Sequence, residues 1–254
     1  LLNNAIFQST NFIFGIFLQR ELRFSPLQAG QRMVPMAFTA GVGAIGWGVL
    51  SDRISIPVVV AASLLASSIS MYFYSRLDVG ASLAYIILVT VFQSLFRSGA
   101  QATMTTMSLG TLPPEQAIVG AGMDSLARNL GNTVGIPLIS TYVTHREMSH
   151  LTKFMRVQTL ENDAREEALA TLRSAFEQAG QPLDEATARS QGILRNQLIE
   201  RATIEAYHDG FRLAAIAGLF LIPMVLSIRS IYHHEGYPER AGRHLRWRRP
   251  DVTR

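Results

Sequence analysis

Asp124 and Arg128 stand four residues apart within the apolar stretch 117–144, so a helix there would carry both charges on one face. Arg97 lies in another such stretch, 81–108, beside Gln93, Ser94, Ser98 and Gln101. Two uses of the pair stay open. It is either a self-neutralising ion pair, or Arg128 lines a cavity while Asp124 holds or exchanges a proton. Burial would raise the Asp124 pKa and the neighbouring guanidinium would lower it. A second polar set is the spacing Asn4, Gln8, Asn11, Gly15, Gln19, which forms one helical stripe. Amides and glycine in a stripe serve either helix packing through hydrogen bonds or the lining of a polar cavity. Asn132 continues the face of Asp124 and Arg128, and Gly131 and Gly135 make a small-xxx-small pair for close helix packing.

These residues need elements to position them. Six apolar stretches, near 1–19, 28–50, 55–75, 81–108, 117–144 and 210–231, approach the roughly 20 residues that a helical membrane span requires. Backbone groups in hydrocarbon have no water to bond, so each span must be a helix. A charge at the centre of a span costs about 2.5–3.5 kcal/mol or more. Arg97, Asp124 and Arg128 are therefore expected to face a hydrated, protein-lined path, the arrangement of a transporter. The fold class expected is all-α: a polytopic membrane protein of six transmembrane helices in one bundle, with a helical extramembrane insertion before the last helix.

The domain divisions expected are 1–145 for the first five spans, 146–207 for the insertion, 208–232 for the last span and 233–254 for a basic tail. Within the insertion, 159–179 and 184–205 read as amphipathic helices separated by Gly180-Gln181-Pro182. The insertion has more acidic than basic residues and no catalytic spacing, so it reads as a solvated cap or a docking surface. Seven arginines fall in the last 26 residues (Arg229, Arg240, Arg243, Arg246, Arg248, Arg249 and Arg254). They fit a juxtamembrane cytoplasmic tail under the positive-inside rule better than a nucleic-acid patch. With six alternating spans, the turn Gly48-Val-Leu-Ser-Asp52-Arg53 and the link Gly110-Thr-Leu-Pro-Pro-Glu115 then also face the cytoplasm, and the insertion faces outward. The chain starts at Leu1 directly in an apolar stretch, which suggests a piece of a longer protein.

Several chemistries are excluded by what the sequence lacks. Cysteine is absent, so there is no disulfide frame and no thiolate metal site. The six histidines (145, 150, 208, 233, 234 and 244) show no metal-ligand spacing. Phosphate loop, dinucleotide fingerprint and nucleophile elbow are all missing. The expectation is a protein that is not an enzyme, hydrolyses no ATP, needs no cofactor or metal and binds no nucleic acid.

Three segments carry a family resemblance: Leu18-Gln-Arg-Glu-Leu-Arg-Phe-Ser-Pro-Leu-Gln-Ala-Gly30; Gly48-x-Leu-Ser-Asp52-Arg53; and Gly110-Thr-Leu-Pro-Pro-Glu115 running on to Arg128-Asn-Leu-Gly131-Asn-Thr-Val-Gly135. Together they resemble the C-terminal six-helix half of a major facilitator superfamily protein, and among those the fourteen-span drug:proton antiporters of the EmrB/QacA type. The resemblance implies a proton-coupled secondary exporter of amphipathic small molecules, working by alternating access in the bacterial cytoplasmic (inner) membrane. The proton is the coupling ion. Partners implied are membrane lipid, the N-terminal half of the same transporter, a small-molecule substrate and, in double-membraned bacteria, a periplasmic adaptor on the insertion. Asn4, Gln8, Asn11, Arg97, Asp124, Arg128 and Asn132 would line the pathway. Gly48, Asp52 and Arg53 would form a cytoplasmic gating latch, although an ordinary solvated turn explains the same residues. Arg97 and Asp124 depart from the family pattern, which has small or apolar residues there. With two arginines to one carboxylate, such an interior would be net positive and favour an anionic or amphipathic substrate. The alternative class is a non-transporting membrane module that uses the insertion for interaction.

Overall fold

The computed structural model describes residues 1–234 except Asp52, Val79, Thr111 and Glu161, with the side chains of 110, 114, 157–165 and 228–234 also left out. The arginine-rich tail and Asp52 of the gating turn lie outside the described residues. Seven α-helices follow one another: α1 (Leu2–Arg20), α2 (Pro26–Ser51), α3 (Ile56–Tyr74), α4 (Leu83–Gly110), α5 (Ala117–Leu160), α6 (Asn162–Gln178) and α7 (Leu183–His234), with a 3-10 turn at Pro114–Gln116. Among the described residues there is no strand. Four helices are long and apolar enough to cross a membrane: α2, α3, α4 up to Leu109, and α7 up to Ser227. Neither α1, with its amide stripe, nor α5, with Asp124, Arg128, Asn129 and Asn132, meets that measure.

Local chemistry fixes the helix starts. Ser25 and Gln28 make a reciprocal cap at the head of α2: the Gln28 N–H donates to Ser25 Oγ (3.2 Å), and the Ser25 N–H donates to Gln28 Oε1 (3.0 Å). Pro26 occupies the first helical position, where its missing N–H costs nothing. Pro113 and Pro114 separate α4 from α5.

Small residues set the packing. A Cβ on Gly131 would lie 2.5 Å from the Leu1 carbonyl oxygen, and one on Gly135 would lie 2.5 Å from that of Ala5. The backbones of α1 and α5 therefore touch at these two glycines. Gly43 of α2 meets Ser98 and Leu95 of α4, Gly99 of α4 meets the Trp47 ring, and Trp47 Nε1 donates to the Leu95 carbonyl (2.9 Å). Gly218 of α7 meets Ser68 of α3. Lipid tails are as apolar as leucine, so close van der Waals contact of this kind, and not water exclusion, is what holds membrane helices together. Phe14 and Phe17 of α1, Tyr74 of α3 and Tyr207 and Phe211 of α7 fill the centre; Phe14 stacks on Tyr74 at 4.6 Å.

α5 runs unbroken through position 145 and α7 runs unbroken through position 207, so the segment 146–207 is two continued helices with α6 between them. The first expected amphipathic helix is α6, trimmed to 162–178, and the second is the opening part of α7. The turn Gly180-Gln-Pro182 is where expected, with Gly180 at φ 86°, a conformation that glycine adopts without strain.

Gly135→Leu is expected to drive side-chain atoms into the α1 backbone and to destabilise the helix pair by roughly 1–3 kcal/mol. Thermal unfolding in detergent measures it. An unchanged transition would contradict the packing described.

Candidate functional site

The polar residues singled out in the sequence fall into three places. On α1, the core face is Phe7, Thr10, Ile13, Phe14, Phe17 and Leu18. Asn4, Gln8 and Asn11 lie beside it on a half-buried face, and Asn11 Oδ1 is buried without a hydrogen-bond partner. On α5, Asp124, Arg128 and Asn132 share one half-buried ridge. Asp124 Oδ2 is 2.7 Å from Arg128 Nη2, a close ion pair whose angles are not those of a hydrogen bond. Asn132 Oδ1 is also buried and unsatisfied. Gly131 and Gly135 sit next to this ridge and face α1.

Arg97 of α4 is the third place. It is half-buried and makes no ion pair with any described residue; the group its charge acts on is the Tyr74 hydroxyl of α3. One turn away, Gln93 is fully buried and both polar atoms of its amide lack partners. The structure thus does not join Arg97 to Asp124, whose partner is Arg128. One cation is locally neutralised and the other is uncompensated among the described residues. A buried polar atom without a partner costs about 1–3 kcal/mol, so such groups normally meet water or a ligand.

The Gly48 turn is simpler. The Gly48 carbonyl accepts from Ser51 Oγ (2.7 Å), the Arg53 N–H closes onto the Leu50 carbonyl (3.1 Å), and the Arg53 side chain is exposed. A Cβ at Gly48 would meet nothing.

An apolar groove of about 570 Å³ runs between α1, α5 and α7, with Ile6, Gly135, Leu138, Ala217, Phe220 and Met224 among its walls. That volume lies within the range of small-molecule sites. Among the described residues no cluster of His, Asp and Glu could hold a metal ion.

Sequence reasoning missed one set. Where α1, α5 and α7 leave the apolar region, Arg20 Nη2 pairs with Glu147 Oε1 (3.0 Å), Thr203 Oγ1 donates to the same oxygen (2.7 Å), and Arg23 pairs with Glu200 (3.4 Å). Beside them, Asp209 receives Arg146, His150 (2.8 Å) and Arg212 (3.1 Å). The visible signal was Arg146 and His150 at helical spacing, and Asp209 and Arg212 likewise; what the sequence could not show is that two distant stretches meet.

A bundle of long apolar helices packed through glycine, with half-buried polar ridges and, among the described residues, one cation without a carboxylate partner, is the architecture of a polytopic membrane protein. The pattern of the Major Facilitator Superfamily matches residues 1–147, more than half of the chain, and this chain belongs to that family. Over 235 residues it is 23% identical to the fatty acid resistance protein FarB of Neisseria gonorrhoeae, a match that covers 91% of the chain and 44% of FarB. It is 33% identical over 135 residues to MdtD of Cronobacter sakazakii, whose name assigns it to multidrug resistance (50% of the chain, 27% of MdtD). It is 24% identical over 139 residues to the MFS-type transporter YhcA of Bacillus subtilis (55% of the chain, 26% of YhcA). The chain spans less than half the length of these relatives.

A double-mutant cycle tests the α5 ridge. Asp124→Asn and Arg128→Gln are each expected to destabilise the protein, and the double variant to cost less than their sum by about 1 kcal/mol. Strict additivity in detergent unfolding would show that the pair carries no interaction.

Proposed function

We propose that this chain is the C-terminal six-helix half of a proton-coupled exporter that moves amphipathic small molecules out of a bacterial cell across its inner membrane. In this reading the protein is a carrier and not an enzyme. The N-terminal half of the same transporter completes the substrate path, and the two halves rock about a site near the midplane. The proton gradient supplies the driving force and no other cofactor is needed. The arginine-rich tail is cytoplasmic, and the polar stretch of α5, α6 and α7 faces outward, where a periplasmic adaptor could dock.

One observation carries the substrate reading: Arg97 is a half-buried cation with no carboxylate partner among the described residues, while Asp124 is already occupied by Arg128. A fixed guanidinium offers a planar fork of donors to a carboxylate. The groove between α1, α5 and α7 supports the apolar half of the same reading. A relative named for fatty acid resistance, a class of anionic amphiphiles, points the same way. The substrate class is therefore a hydrophobic weak acid, with Arg97 meeting its anionic head. Asn4, Gln8, Asn11 and Asn132 line the path, Asp124 and Arg128 contribute to proton coupling, and Gly48, Asp52 and Arg53 form the cytoplasmic latch.

The test is efflux by the full-length protein in inverted vesicles, with a panel of hydrophobic weak acids, hydrophobic cations and neutral compounds. Efflux of the weak acids is expected to stop when the proton gradient is collapsed. Arg97→Ala should lower it about tenfold, the equivalent of 1.4 kcal/mol, and Asp124→Asn should impair it, both without loss of membrane insertion. Transport of cations alone, or efflux indifferent to the gradient and to both substitutions, would overturn the proposal.

A further inference from the structure

Glu21 follows the last residue of α1, outside the apolar stretches, and its carboxyl is only 3% exposed. It sits within the cluster that ties α1 to the polar parts of α5 and α7. Arg20 Nε lies 3.7 Å from Glu21 Oε1, while Nη2 of the same guanidinium lies 3.0 Å from Glu147 of α5. Glu200 of α7 is held by Arg23 at 3.4 Å, and Tyr207 of α7 faces Arg20 and Glu21. From α2, Arg32 is stacked over Phe24 at 3.7 Å and donates to the Gln28 carbonyl (3.0 Å), away from the ion pairs of this cluster. Two residues further along α7, Asp209 is engaged by Arg146, His150 and Arg212. Among the described residues, the ion pairs at the core of the cluster join three carboxylates (Glu21, Glu147, Glu200) to two guanidiniums (Arg20, Arg23). Glu147 and Glu200 have close ion-pair partners, and Thr203 also donates to Glu147. Among the described residues, Glu21 holds only the longer contact, to an arginine it must share.

We propose that the Glu21 carboxyl is a proton-binding site, and that taking up a proton there locks the end of α1 onto the polar stretches of α5 and α7. With Glu21 ionised, Glu21 and Glu147 compete for Arg20 and the cluster carries one uncompensated negative charge. With Glu21 neutral, charges balance two against two and Glu147 no longer competes with Glu21 for Arg20. The surroundings favour the neutral form: burial first, then the repulsion of Glu200 and Glu147, outweigh the pull of Arg20 and Arg23 and push the carboxyl from 4.5 to about 7. This site goes beyond the export reading and stands on its own geometry, so its test does not need transport.

The sign follows from linkage. A carboxyl whose pKa is higher folded than unfolded binds more protons in the folded protein between the two values. Stability then falls as pH rises from about 4.5 through about 7, and is level above that. Infrared pH titration of the full-length protein in detergent is expected to show a protonated carboxyl that is lost with a midpoint near 7 and is missing in Glu21→Gln. Glu147→Gln and Glu200→Gln, which each remove a negative neighbour, should move that midpoint down. The melting temperature should rise as pH is lowered through about 7, and Glu21→Gln should abolish that rise. A carboxyl signal that survives Glu21→Gln would overturn the proposal. So would a Glu21 midpoint at the ordinary 4.5, or an undiminished pH dependence of melting in Glu21→Gln.

Discussion

An ionised side chain in a hydrocarbon layer has to be paired or wet, and the charged residues of this bundle are best read against that demand. Asp124 takes the first solution, since Arg128 one turn on neutralises it at 2.7 Å. Arg97 has no carboxylate partner among the described residues, so its charge calls for water, a ligand or a group from the rest of the transporter. The cost of leaving such a charge dry is at least about 2.5–3.5 kcal/mol, more than most single contacts in the fold contribute. The arrangement is therefore informative about what the bundle is for.

The helix that makes the arrangement possible is α1. It touches the α5 backbone at Gly131 and Gly135, and supplies Phe14 and Phe17 to the aromatic centre shared with α3 and α7. At its far end it is fastened through Arg20 and Arg23 to Glu147 and Glu200. Its sequence is consequently divided: one face apolar and buried, the next carrying Asn4, Gln8 and Asn11, and a charged end. The same compromise keeps α1 from qualifying as a plain apolar span. α5 makes the parallel compromise with Asp124, Arg128 and Asn132. Polar side chains and membrane-like hydropathy compete for the same positions, and in these two helices polarity wins.

Much of the helix plan was legible because hydrophobic length and proline punctuation are local signals. Pro113-Pro114 marked the α4–α5 break, whereas α2 begins at Pro26, two residues before the apolar stretch expected from 28. Two things were not legible. The continuity of α5 through position 145 and of α7 through position 207 was hidden, because a change from apolar to polar composition looks like a boundary even where the backbone hydrogen bonds run on. The charged junction around Glu21, Glu147 and Glu200 was hidden because its members lie on three distant stretches of the chain and meet only through the packing of α1 against α5 and α7. The stretch from Asp124 to Asn132 was readable as one ridge from spacing alone. That Arg97 stands apart from it needed the third dimension.

The most direct test of the central claim is water access to these charges in the membrane. The chain has no cysteine, so single replacements at Arg97, Asp124, Arg128 and Asn132 of the full-length protein, and at Leu65 and Ile69 on the exposed face of α3, can each be probed with a membrane-impermeant thiol reagent. The account predicts labelling at the first four positions and none at the α3 pair. Labelling at Leu65 and Ile69, with Arg97 and Asp124 protected in every condition, would contradict it.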